Sequence, residues 1–140
     1  LIGWDTLQRI LATYFTRYRF AHPGPREFFA VVNEVSGQDL TWFFDQWLRR
    51  PGMIDARWRT SYDARSRRVL LEVTQADDTA PFRFPLTVEL TAADGRTIRV
   101  VVEVPASRSA RIELPVELAA PPSRVRVDPD VALLATFVQP

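Results

Sequence analysis

The chain has no cysteine, no lysine and a single histidine, His22. Without cysteine there is no disulfide and no thiolate site, and the redox compartment stays open. One histidine cannot supply the H-E-x-x-H pair of a zinc peptidase, the absence of cysteine rules out a Cys-His arrangement, and no usable residue set for a Ser-His-Asp triad accompanies it. Set in His22-Pro23-Gly24-Pro25, this histidine reads as an exposed interhelix residue. Five glycines are too few for a phosphate-cradling loop. No apolar stretch approaches the roughly 20 residues that span a bilayer, and Val100-Val101-Val102 is interrupted at once by Glu103. The expectation is a soluble chain with no membrane span.

The absence of lysine means that all 18 basic residues are arginine, as a GC-rich coding bias would give. A net charge of +1 lacks the excess expected of a nucleic-acid binder. Residues 49–68 hold seven Arg against Asp55 and Asp63, a local +5, yet on a strand alternate residues are exposed, so this reads as a solvated sheet face. The opening Leu1-Ile2-Gly3-Trp4 resembles neither an initiation site nor a signal peptide, and the chain is expected to be cut from a longer one. At 140 residues with 46% hydrophobic content, there is enough apolar material for a real core.

Residues 4–49 carry the 3.6-residue period of three helices. Leu7, Ile10, Leu11, Tyr14, Phe15 and Tyr18 mark the first. Pro25 opens the second in the first-turn position, Phe28, Val32 and Val35 are its buried side, and Gly37 suits the left-handed residue that ends it. In the third, Leu40, Phe43, Phe44, Trp47 and Leu48 fall at i, i+3, i+4, i+7 and i+8, one face that is expected to be buried, with Trp42 off it. Arg49 and Arg50 favour the negative end of the helix dipole, and Pro51-Gly52 stops the helix.

After Met53 the period becomes 2. Trp58, Thr60 and Tyr62, then Val69, Leu71 and Val73, then Leu86, Val88 and Leu90 alternate with more polar neighbours; Ile98 to Val104, Ile112-Leu114 and Val125-Val127 continue the pattern. Asp63-Ala64-Arg65-Ser66 and Ala93-Asp94-Gly95 are turn signals. Prolines 81, 85, 105, 115, 121 and 122 mark strand ends or edges. The expected fold class is segregated α+β: a three-helix segment over residues 1–52, followed over 53–140 by an antiparallel, immunoglobulin-like β-sandwich of about seven strands.

Convergent chemical groups are scarce. Asp77 and Asp78 read as a loop pair, as do Asp128 and Asp130 around Pro129, because calcium would need more oxygen ligands at fixed spacing. Asp45 and Gln46, beside the aromatic stripe, read as structural hydrogen-bonding groups rather than as contacts to a substrate channel. No residue stands out as catalytic, cofactor-binding or metal-ligating. Phe43, Phe44, Trp47, Leu48 and Pro51 are the candidate junction between helices and sandwich.

The run Gly37-Gln-Asp-Leu-Thr-Trp-Phe-Phe-Asp-Gln-Trp-Leu-Arg-Arg-Pro-Gly52 resembles the closing helix of the catalytic domain in zinc aminopeptidases of the aminopeptidase N and leukotriene hydrolase family, where "G-x-D-L-x-x-F-F-x-x-W-L-x-x-P-G" precedes a β-sandwich. Pro25-Arg-Glu-Phe-Phe29, Leu71-Glu-Val-Thr-Gln75, Phe84-Pro-Leu-Thr-Val-Glu89 and Val125-Arg-Val-Asp-Pro-Asp130 follow in the family's order. The resemblance implies a non-catalytic C-terminal portion of such an enzyme, with no cofactor of its own; zinc, its His and Glu ligands and the peptide substrate belong to a catalytic domain upstream. That domain would be the partner. Without its cover, the helices would be exposed around Ile2, Trp4, Leu11, Phe15 and Trp42 and would pair as a homodimer, the sandwich staying monomeric. The competing expectation is an autonomous helix-plus-sandwich interaction module.

Overall fold

The computed structural model describes residues 1–78 and 80–139. The chain divides into two compact units, Leu1–Pro51 and Gly52–Pro140. Three helices come first, then seven strands.

Within the first unit, helix α1 spans Trp4–Arg17, α2 Pro25–Ser36 and α3 Thr41–Leu48. Pro25 occupies the first turn of α2, and the Glu27 carboxylate accepts the Gly24 N–H at 2.8 Å, satisfying one donor left orphaned by the helix start. Gly37 ends α2 at φ +67°, the left-handed position that glycine takes without penalty. Ile10, Val31, Val32, Leu40 and Phe44 form the buried core of this unit, with Tyr14, Tyr18, Phe28, Phe29, Val35 and Phe43 half-buried against it. Arg17 of α1 reaches Glu34 of α2 with two hydrogen bonds, 2.7 and 2.8 Å, which fix the α1–α2 register on the surface.

The second unit is a two-sheet sandwich. Strands β1 (Ile54–Asp63), β2 (Arg68–Gln75), β5 (Ser109–Glu117) and β7 (Ala135–Val138) form one sheet in the order β5-β2-β1-β7. The other holds β3 (Phe84–Thr91), β4 (Thr97–Val104) and β6 (Arg124–Val127), in the order β4-β3-β6. Its core is the inward set that the alternation marks: Trp58 from β1, Val69, Leu71 and Val73 from β2, Leu86, Val88 and Leu90 from β3, and Leu114 from β5, all buried. Asp63 accepts the Arg65 N–H and the Ser66 hydroxyl, both at 2.8 Å, to close the β1–β2 turn, and Gly95 at φ +85° turns β3 into β4.

One feature departs from the sequence expectation, and two prolines keep to it. β7 runs parallel to β1, pairing Ile54 with Ala135 through Arg57 with Val138, so the sandwich is not wholly antiparallel. Pro85 is the second residue of the central strand β3, at its end, where β6 has not yet begun to pair: among the described residues the β3–β6 ladder covers Val88–Thr91, so Pro85 owes it no N–H. Pro115 sits in the edge strand β5 where the register shifts, Arg68 facing Glu117 and Leu70 facing Glu113.

Candidate functional site

The motif-bearing helix α3 is two turns long and is organised around one aromatic stack. Phe44 lies flat on Phe29 of α2, with ring centroids 3.9 Å apart and planes 15° from parallel. Phe43 meets Phe44 edge-on at 5.9 Å and Trp47 at 6.4 Å. Arg49 caps the group: it ion-pairs with Asp45 one turn back at 2.5 Å and lies over the Phe29 ring at 5.5 Å from its centre. Asp45 is thus a surface partner of Arg49, while Gln46 is buried.

The five candidate junction residues separate. Phe44 is buried in the core of the helical unit, Phe43 and Trp47 are half-buried, and Pro51 is exposed. Leu48 is 65% exposed, which overturns its place on a buried face. At about 100° per residue it lies roughly 80° round the helix from Leu40, at the rim of the stripe. It is also the last residue of α3, beyond the Phe29–Phe44 stack, and lines an open groove with Pro25, Arg26, Phe29 and Arg49.

Helix α1 carries two apolar stripes. Ile10 and Tyr14 belong to the inward one, where Tyr14 packs edge-on against Phe28 at 5.2 Å. Trp4, Leu11 and Phe15, at i, i+7 and i+11, share the other. Trp4 is 67% and Phe15 68% exposed, whereas Leu11 between them is half-buried, as are Ile2, which packs against the core, and Trp42, so the exposure expected of all five holds only for Trp4 and Phe15.

The acidic residues are engaged structurally. Asp77 faces Arg108 at 3.5 Å, and the Asp128 carboxylate accepts the Ala132 and Leu133 N–H groups at 2.9 and 3.1 Å, closing the loop into β7. Asp130 pairs with Arg99 at 3.0 Å. Among the described residues no group of three or more His, Cys, Asp or Glu side chains is placed to hold a metal, and no helix is long and apolar enough to cross a membrane.

Each sheet has a glutamate on an inner strand flanked by two arginines on its outer face. Glu72 of β2 accepts from Arg59 of β1 and from Arg111 of β5, the latter at 2.5 Å. Glu89 of β3 accepts from Arg99 of β4 at 2.8 Å and from Arg126 of β6 at 3.3 Å. Hydrogen bonding by Arg59, then by Arg111, holds the Glu72 carboxyl below the ordinary glutamate range, and Arg99 does the same for Glu89 with help from Arg126. The basic run is therefore interleaved with acid on the folded surface at Arg59, Arg67 and Arg68, the last two facing Glu117.

No family model matches the sequence, and no curated protein matches it. Among solved structures, it is similar to the crystal structure of Legionella pneumophila aminopeptidase A in complex with aspartic acid, with a TM-score of 0.81 at 14% sequence identity. At that identity the likeness shows the fold alone. The match takes in 98% of this chain but only 16% of that one.

Proposed function

We propose that this chain is the non-catalytic C-terminal portion of a zinc-dependent aminopeptidase of the aminopeptidase N and leukotriene hydrolase type: the last helices of the catalytic domain followed by its sandwich. Its role is to buttress the active-site domain. The upstream part of the parent supplies the zinc, its ligands and the peptide-binding cleft.

The observation that carries this reading is the second apolar stripe of α1. A helix apolar on two faces belongs between two layers of protein, and on the second face of α1 Trp4 and Phe15 stand exposed with Leu11 half-buried between them. Upstream helices of the parent's catalytic domain are the cover we assign to them. The Gly37–Gly52 motif at the helix-to-strand transition supports the same assignment, as does the likeness of nearly the whole chain to a small share of an aminopeptidase structure.

The test is made in a longer protein that joins this chain to the catalytic domain we assign upstream of it. Trp4→Glu and Phe15→Glu are expected to lower its soluble yield and its release of N-terminal residues from peptides, while leaving the unfolding midpoint of the isolated chain within a few degrees of the parent sequence. Unchanged activity in the longer protein would contradict the buttressing role. It would favour the autonomous module.

A further inference from the structure

Strand β4 lies at one edge of the three-stranded sheet and, among the described residues, is bonded to β3 on one side. Which of its backbone groups face outward follows from the bonds made elsewhere in the sheet. Thr87 and Thr91 turn their carbonyls away from β4, toward Asp128 N–H and Ser123 N–H, both at 2.8 Å, whereas the Ala92 N–H bonds the Arg96 carbonyl at 2.8 Å across the hairpin. The even-numbered residues of β3 and β4 therefore bond each other. With Thr91 opposite Thr97 and Glu89 opposite Arg99, the N–H and C=O of Thr97, Arg99, Val101 and Glu103 point to the open edge.

The side chains of these four residues share the outer face, and their order is self-complementary. Val101 stands at the centre, a large apolar residue 64% exposed, with Arg99 two positions before it and Glu103 two positions after. We propose that β4 pairs antiparallel with β4 of a second copy of this chain about a two-fold axis through Val101, joining the two sheets into one of six strands. In this register Val101 meets Val101, and each Arg99 faces Glu103 of the second copy. These are the outward-bonding positions, so each facing pair exchanges two backbone hydrogen bonds. Pro105, which has no N–H to give, falls opposite Thr97 and ends the ladder.

Charge favours this register. Arg126, Glu89 and Arg99 already form a row across β6, β3 and β4, pairing Glu89 with both neighbours. Glu103 of the second copy would be the next member, extending the alternation of sign across the axis, and Arg83 lies behind each Glu103 in its own copy. Opposite charges at directly facing strand positions stabilise pairing, and like charges there oppose it. An edge strand with a central apolar residue and no inward charge favours such pairing. The interface is isologous, so it closes at a dimer.

The experiment is sedimentation equilibrium on the full chain, from low to high micromolar concentration. The unmodified chain is expected to reach a monomer–dimer equilibrium. Val101→Lys, at an exposed site, is expected to keep the circular dichroism and unfolding midpoint of the parent and to need at least about tenfold higher concentration to dimerise, because two like charges meet at the axis. Val101→Glu alone should behave alike, and an equimolar mixture of the two variants should recover a heterodimer, which general loss of stability would not produce. A chain that stays monomeric throughout, or a Val101→Lys variant that dimerises as the parent does, overturns the proposal; the latter result would place association on the helices.

Discussion

Gln75 treats Phe82 as if it were a neighbouring strand. Its Nε2 donates to the Phe82 carbonyl at 2.9 Å and its Oε1 accepts the Phe82 N–H at 2.8 Å, so one buried side-chain amide satisfies both backbone groups of one buried residue. Nε2 also reaches the Ser107 carbonyl at 3.2 Å. The connections β2–β3 and β4–β5 are thereby tied to the same amide.

Truncating that amide should be expensive. Gln75→Ala leaves the Phe82 N–H and C=O without this partner in a buried setting, at about 1–3 kcal/mol for each group. Urea unfolding is expected to show a loss of that order, and Gln75→Glu, which keeps the acceptor and loses the donor, should also destabilise. A change below about 0.5 kcal/mol for Gln75→Ala would mean that water replaces the amide without cost.

Phe44 and Leu48, four residues apart, should differ sharply. Removing the buried Phe44 ring, stacked on Phe29, is expected to cost about 3–5 kcal/mol in the helical unit. Leu48→Ala at the exposed rim should stay within about 0.5 kcal/mol. Helical circular dichroism on denaturation measures both; comparable losses at the two positions would restore Leu48 to the buried face.

Acid should loosen the sandwich through its two central glutamates. Both carboxyls titrate below the ordinary glutamate range in the folded chain, so their contribution is fully present above that range, near pH 4.3, and is lost as pH falls through the lower folded values. The unfolding midpoint of the parent should therefore fall more steeply below about pH 4.3 than that of Glu72→Gln/Glu89→Gln. Parallel pH profiles for the two proteins would show that the arginine pairs contribute nothing through these protons. The same advantage should shrink in high salt, since the arginines are exposed.

Much of this architecture could be read from local periodicity. Val69, Leu71 and Val73 alternate because one face is covered, and Gly37 and Gly95 mark positions of positive φ. Relations between distant segments left no such trace. The parallel partnership of β7 with β1 joins residues about eighty positions apart. The Gln75–Phe82 pairing is specified by a single amide, not by a pattern. Leu48 continued the helical period one step beyond the region that α2 covers, since spacing tells which residues share a face but not where the opposing surface ends. Val31 was missed in turn because it lies beside the Phe28–Val32–Val35 row rather than on it. At the candidate site, the spacing places Leu11 and Phe15 in one set with Ile10 and Tyr14 and does not separate the two faces of α1, and the open edge at Val101 required knowing that β4 lies last in its sheet.

On the proposed function, the chemistry lies outside these residues and depends on them. Zinc content after chelation and dialysis, measured together with hydrolysis of aminoacyl substrates, tests it directly on the isolated chain and on the longer protein that joins it to the catalytic domain we assign upstream. About one zinc per molecule and chelator-sensitive hydrolysis are expected in the longer protein, and neither in the isolated chain, where among the described residues no group of three or more His, Cys, Asp or Glu is placed to hold a metal. Stoichiometric zinc with hydrolysis in the isolated chain, or a longer protein devoid of both, would contradict it.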